Sequence, residues 1–285
     1  MRRLLRWAGI TVGITIALAA VAYALVYGLS ERILRRTYEM PAVALTIPTD
    51  SESIGEGRRL ATIRGCNDCH GKELQGTVLF DDPKIARIVA PNLTAAIHRY
   101  SDAQLAVIIH NGIRPDGRSV MVMPSEAFNV MTDADLGRTI AFLKSVPPVP
   151  GPGPSISVGP LGRIGLVAGK LKTVVQLVAD TAPPPAAANP KAEAGRYLAR
   201  TVCAECHGAD LRGTANPAFT SPDLRIVAAY SPEAFVRLLR TGVALGDRKL
   251  AVMSARARDN MSLLTDSEIA GLYGYLHGMP ERAHD

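Results

Sequence analysis

The longest unbroken hydrophobic pattern in the chain lies at its start. Residues Trp7 to Leu29 carry no charge, a run of 23 positions between Arg2, Arg3 and Arg6 on one side and Ser30-Glu31-Arg32 on the other. As a helix this length crosses a bilayer, and Trp7, Tyr23 and Tyr27 stand towards its ends, where interface aromatics belong. Two readings are open. Ala20, Ala22 and Ala24 offer the small residues of a signal-peptide cleavage site; the apolar run, however, continues past them through Leu25, Val26, Tyr27 and Leu29, which favours an uncleaved anchor.

Beyond the run, the pattern turns to short amphipathic helices with explicit start signals, and it occurs twice. GRRLATIRGCNDCHGKELQGT, beginning at Gly57, answers GRYLARTVCAECHGADLRGT, beginning at Gly195. Pro91-Asn92-Leu93 answers Pro222-Asp223-Leu224, and the segment from Tyr100-Ser101 to Asn111-Gly112 answers that from Tyr230-Ser231 to Thr241-Gly242. Thr132–Leu143 matches the closing segment Leu264–Leu276. Ser101 with Gln104 is a capping box over Leu105, Val107, Ile108 and Ile109, stopped by Gly112. Ser231-Pro232 sets a cap before a proline at the first helical position. Thr265 with Glu268 is a second capping box, and Thr132 with Asp135 a weaker one. No stretch alternates with period two for long enough to predict a sheet, so the class is all-α. Between the repeats, Pro147-Pro148 through Pro154 and Pro183-Pro184-Pro185 through Pro190 predict stiff, extended segments. They bracket an apolar helix at Ile164–Ala179, too short and, with Lys170 and Lys172, too charged to span a membrane. It is expected to pack across one or both repeats, with the bilayer surface as the alternative.

Composition adds limits. The chain of 285 residues has room for two ordinary domains, and 5% aromatic content is low for two large cores. Of the net charge of +6, residues 1–45 hold +4, from six Arg against Glu31 and Glu39. The basicity is therefore membrane-proximal and gives no nucleic-acid-binding face.

All four cysteines fall in two pentapeptides, CNDCH at Cys66 to His70 and CAECH at Cys203 to His207. In C-x-x-C-H two thiols one helical turn apart add across the two vinyl groups of a haem, and the adjacent histidine, His70 or His207, supplies the proximal nitrogen to iron. No cysteine is left for a disulfide framework. A structural zinc site is the weaker reading, because neither motif has a second C-x-x-C or an H-x-x-x-H nearby.

Each repeat thus resembles a bacterial class I cytochrome c domain: an N-terminal helix, C-x-x-C-H, a loop, a methionine ligand and a C-terminal helix. The resemblance covers roughly residues 54–280. With the N-terminal run, the chain is similar to membrane-anchored dihaem cytochromes c. This implies an anchor and juxtamembrane segment at 1–45, a cytochrome c domain at 46–149, a proline-rich linker with a short apolar helix at 150–190, and a second cytochrome c domain at 191–285. It also implies two covalently bound haem c groups, held through Cys66, Cys69 and His70 and through Cys203, Cys206 and His207.

A low-spin carrier needs a sixth ligand, and a thioether raises the potential relative to a second imidazole. The family places this ligand in a Met-Pro ahead of the Leu-Thr-Asp cap, a position Met123-Pro124 fits; Met121 is the fallback, with Met131, His98 and His110 the other candidates. His110 ends a helix, where a cation is favourable. In the second repeat Met253-Ser254 is the corresponding pair. Met261, closer to Thr265, reads as core, and His277 and His284 are the only later histidines. In similar cytochromes a proline carbonyl, here of Pro91 or Pro222, accepts the proximal imidazole N–H and fixes the ring; a rigid turn alone is the other reading. Arg58-Arg59 and Arg196 are candidate propionate partners, although solvated arginines are the default.

The expected function is single-electron transfer between a respiratory donor, either a quinol-linked complex or a periplasmic dehydrogenase, and a terminal oxidase or soluble carrier. The expected place is the bacterial cytoplasmic membrane, single-pass through residues 7–29 in lipid. The haem domains then lie on the periplasmic side, since bacteria attach haem c outside the cytoplasm. The alternative is a dihaem enzyme of the peroxidase or thiosulfate dehydrogenase type with an exchangeable site at the second haem.

Overall fold

Residues 2–153, 155–181, 190–215 and 220–279 are described in the computed structural model. Pro154, Pro183-Pro184-Pro185 and His284 lie outside the described residues, so the extended reading of the second proline cluster has no structural counterpart here.

The chain is mostly helical. Helix α1 (Arg2–Leu34) is exposed along its apolar length and long and apolar enough to cross a membrane. The residues that follow are strapped onto the first repeat: Tyr38 N donates to Gly117 O at 2.8 Å, and Val43, Leu45 and Ile47 pack against the core. The first repeat is built from α2 (Ser51–Ile63), α3 (Cys66–His70), α4 (Leu93–Ala96), α5 (Asp102–Asn111), α6 (Ser125–Phe128) and α7 (Asp133–Ser145). The caps form as their residue types require: Asp50 Oδ1 accepts from Ser53 N at 2.8 Å, Ser101 and Gln104 close a full capping box, and Gly112 ends α5 at φ 67°.

The expectation of no sheet does not hold locally. Strand β1 (Thr77–Asp82) pairs antiparallel with β2 (Ala86–Ala90), and β3 (Ser155–Val158), from the segment between the repeats, adds to β2. The strands are too short for their alternation to be read, and one of the three is contributed from far along the chain.

The apolar helix expected at Ile164–Ala179 is two helices, α8 (Pro160–Val167) and α9 (Val174–Asp180). Gly169, at φ 67°, turns the chain between them. Helix α9 lies on the first repeat, with Val174 fully buried against Gly112. Helix α8 instead holds the C-terminal end of α1. Arg163 donates to Ser30 Oγ and Glu31 Oε1, each at 2.8 Å, and its guanidinium lies 4.0 Å from the centre of the Tyr27 ring. A buried arginine with charged and neutral acceptors is costly to truncate, about 2 kcal/mol for hydrogen bonds of this kind. Arg163→Ala is therefore expected to raise the population with α1 detached from α8 by roughly 30-fold. Faster tryptic cutting after Arg35 and Arg36 in the detergent-solubilised protein reads it out; an unchanged rate would show that the clamp holds nothing.

The second repeat consists of α10 (Pro190–Leu198), α11 (Ala204–His207), α12 (Pro232–Thr241), α13 (Ala251–Asp259) and α14 (Asp266–His277). In both repeats the first and last helices cross: α2 on α7, and α10 on α14. At each crossing a buried glycine faces backbone, Gly57 against the Arg138 carbonyl and Gly195 against that of Gly271. The buried apolar residues of the two repeats form one connected cluster. Polar contacts cross the junction as well. The Arg59 guanidinium forks onto both carboxylate oxygens of Glu268, each at 2.8 Å, and also binds Glu56. Tyr197 Oη donates to Asp135 at 2.6 Å and accepts from buried Arg64 at 3.0 Å. Arg59 is thus a bridge between repeats rather than a solvated arginine. Arg196 pairs with Glu193, and Arg58 lies over the Phe142 ring.

Candidate functional site

Each C-x-x-C-H forms a short helix placed by the end of the helix before it. In the first repeat α2 stops at Ile63, and Gly65 takes φ 76°, turning the chain into Cys66. The second repeat has no glycine ahead of Cys203. There the helix continues as a π-helical segment, Ala199–Cys203, directly into α11. A residue without a Cβ allows the left-handed break; in the second repeat, one residue shorter between its opening glycine and the first cysteine, the helix widens into a π turn instead.

After the histidine the two loops share a set of equivalent bonds. Gly76 N donates to His70 O at 2.7 Å, and Gly213 N to His207 O at 2.8 Å. Leu74 and Leu211, both buried at positive φ, receive Leu93 N and Leu224 N on their carbonyls. Thr77 Oγ1 donates to Cys69 O at 2.7 Å, and Thr214 Oγ1 to Cys206 O at 3.1 Å. These bonds bring a proline carbonyl onto each imidazole: His70 Nδ1 lies 2.9 Å from Pro91 O, and His207 Nδ1 2.9 Å from Pro222 O. A carbonyl only accepts, so Nδ1 carries the proton and Nε2 keeps its lone pair. Burial lowers the pKa of both rings, outweighing the proline contact, and holds them neutral. A neutral imidazole with Nε2 available is the form that ligates a metal.

The four cysteines are free thiols. Burial pushes the Cys66, Cys69 and Cys206 thiols up to about 11 and that of Cys203 to about 12. No cluster of three or more His, Cys, Asp or Glu assembles among the described residues.

The methionines separate into two environments. Met131 and Met261 are core residues, 5% and 3% exposed. Met123 and Met253 are half-buried against the core. Met123 sits in irregular chain before α6, as the following proline requires, whereas Met253 lies on α13, because Ser254 permits helix. The hydroxyl of Ser254 is spent on the backbone, accepting from Leu250 N at 2.7 Å and donating to Gly242 O. Met121 is half-buried, and His98 and His277 are exposed. The helix-end cation expected at His110 does not form: burial lowers its pKa, and Nε2 is buried without a partner.

One site residue escaped the sequence reading. Arg200, three residues before Cys203, is 3% exposed; it donates to the Glu126 carbonyl, while its Nε and Nη1 are buried with no hydrogen-bond partner. Buried guanidinium donors are costly unless an anion meets them; the Glu126 carboxylate acts on Arg200 electrostatically without a hydrogen bond to it, which leaves donors free for a further anion. A haem, with two propionates and a need for two thiols and an imidazole, fits this donor set. The only sequence signal was an arginine near the motif, which is too common a feature to single out.

Comparison with known proteins agrees with the repeat. Residues 54–147 match the family described as cytochrome c, and residues 190–276 that described as cytochrome c oxidase, cbb3-type, subunit III. The chain is 25% identical over 259 residues to the fructose dehydrogenase cytochrome subunit of Gluconobacter japonicus, covering 81% of this chain and 53% of that protein. It is 31% identical over 121 residues to the alcohol dehydrogenase (quinone) cytochrome c subunit of Gluconacetobacter polyoxogenes, covering 39% of this chain and 26% of that one. The chain thus spans about half the length of the first relative and about a quarter of the second.

Proposed function

The chain is a bacterial multi-domain c-type cytochrome with two cytochrome c domains, and from that premise we propose that it carries one haem c per repeat and serves as the membrane-anchored electron-transfer subunit of a periplasmic dehydrogenase complex. The observation that carries this reading is the matched pair of imidazoles, each fixed through Nδ1 by a proline carbonyl with Nε2 left to bind. Each haem, when bound, supplies reversible one-electron exchange at iron. Cys66 and Cys69, with Cys203 and Cys206, hold the two groups covalently. His70 and His207 would bind the iron through Nε2, and Met123 and Met253 would supply the thioether sulfurs. Pro91 and Pro222 orient the rings, and Arg200 meets a propionate. The chain's part is to keep ligands and charges fixed.

The dehydrogenase reading draws on relatives named as cytochrome subunits of fructose and quinone-linked alcohol dehydrogenases. The electron acceptor is then a quinone pool, a terminal oxidase or a soluble carrier. The membrane reading draws on α1 and its clamp through Arg163 to α8. Covalent haem attachment takes place outside the bacterial cytoplasm, which puts the repeats in the periplasm and the N-terminus inside. A mature protein beginning near Tyr23 or Ala24 would remove the anchor from this account.

The test is an anaerobic redox titration followed by visible and EPR spectra, with pyridine haemochrome quantitation. Two haems per chain are expected, both low-spin and inert to carbon monoxide. One haem that binds carbon monoxide would replace the carrier by an enzyme with an exchangeable site.

A further inference from the structure

The two attachment motifs face each other across the junction of the repeats, and the side chain between them is Arg256. It projects from α13 with 14% of its side chain exposed. It is ion-paired with Asp68, the third residue of CNDCH, and its Nη2 lies 3.7 Å from Glu205 Oε2, the third residue of CAECH. Its seat is made by Gly65, next to Cys66: a Cβ there would fall on the guanidinium. Four residues further on, Asn260 continues the contact, with Nδ2 donating to Thr62 O at 2.7 Å and facing the Asp68 carboxylate at 3.3 Å. Arg256 on α13 and Asn260, the residue that ends it, thus both reach the first repeat beside its motif. A guanidinium this buried persists only when it is paired, and its two carboxylates come from different repeats.

We propose that Arg256 is a positioning residue for electron transfer between the repeats, holding CNDCH against CAECH so that the two haems exchange electrons across this contact and both feel its charge. This rests on the reading that each motif carries a haem. A fixed positive charge disfavours the oxidised form of any centre near it, and in a protein interior the effect reaches beyond the first neighbours. Arg256 therefore raises both midpoint potentials, and Asp68 and Glu205 lower them.

The test is the two midpoint potentials of the full-length protein, measured with its haem count. Arg256→Gln is expected to lower both potentials, shifting the oxidised-to-reduced ratio of each haem threefold or more, about 28 mV at 59 mV per decade for one electron. Asp68→Asn is expected to raise both. Arg256→Lys, which keeps the charge, should stay near the wild type. A loosened junction alone would move the potentials the same way in both charge-removing variants, so the reversal of sign separates electrostatics from docking. If Arg256→Gln fails to accumulate, Asp68→Asn carries the test. Two haems per chain with only one potential moved, or none, overturns the proposal; fewer than two haems in the wild-type protein overturns the reading beneath it.

Discussion

Replacing Gly57 with valine is expected to leave the protein with one haem per chain, and Gly195→Val is expected to remove the other. Both glycines are buried where the first helix of a repeat crosses the last, and at each a Cβ would overlap a backbone carbonyl, of Arg138 or of Gly271. Backbone cannot swing aside as a flexible side chain can, so the helices must separate. Overpacking of this kind costs typically 1–3 kcal/mol and more when backbone resists, against roughly 5–15 kcal/mol for a whole domain. The loss falls on the site because the crossing helix runs straight into it: α2 ends three residues before Cys66, and α10 continues through Ala199–Cys203. Moving either helix moves the thiol pair relative to its proline-held imidazole. Haem per polypeptide by pyridine haemochrome, with thermal melts, measures the effect. Full haem content and an unchanged melt in both variants would show that the crossings yield without consequence. Gly57→Ala and Gly195→Ala should fall between.

These glycines show where the sequence is legible and where it is not. Gly57 and Gly195 open the two repeats in equivalent places, so their correspondence is plain from the chain. That each lies under a carbonyl is not plain, because the crossing partner is more than seventy residues away. Local signals read well: Ser101 with Gln104 and Thr265 with Glu268 form the capping boxes that their spacing demands, since both partners lie within one turn. C-x-x-C-H reads well for the same reason. The charges that join distant parts do not. Arg59 looks like any surface arginine yet forks onto Glu268, Arg163 ties α8 to α1, and Arg256 reaches Asp68. Periodicity indicates which face of a helix is buried, not which charge meets which. Strand β3 is the backbone case: four residues become a strand only because β2 offers an edge.

Exchange of one sulfur ligand for an imidazole is the second large effect expected. Met123→His should lower the potential of one haem by on the order of a few hundred mV, within the roughly 0.8 V that axial ligands span, and should abolish that haem's weak sulfur-to-iron absorption. Met253→His should do the same to the other. The controls are the core methionines. Met131→Ala and Met261→Ala remove side chains that are 5% and 3% exposed, so each is expected to cost about 2–5 kcal/mol through lost burial and a cavity while leaving both sulfur-to-iron bands in place. The two classes thus separate on independent readouts, potential for the ligand and melting for the core. The second repeat is the more exacting case. Met253 is fixed on a helix whose next residue, Ser254, is bonded to Leu250 N and Gly242 O, so this sulfur is aimed by helix position, whereas Met123 is aimed by the break at Pro124. A Ser254→Ala change releases that hold. If Met253 is the ligand, it should weaken the sulfur-to-iron absorption of the second haem and leave the first untouched. An unchanged spectrum in Met253→His would assign the sixth position to another residue.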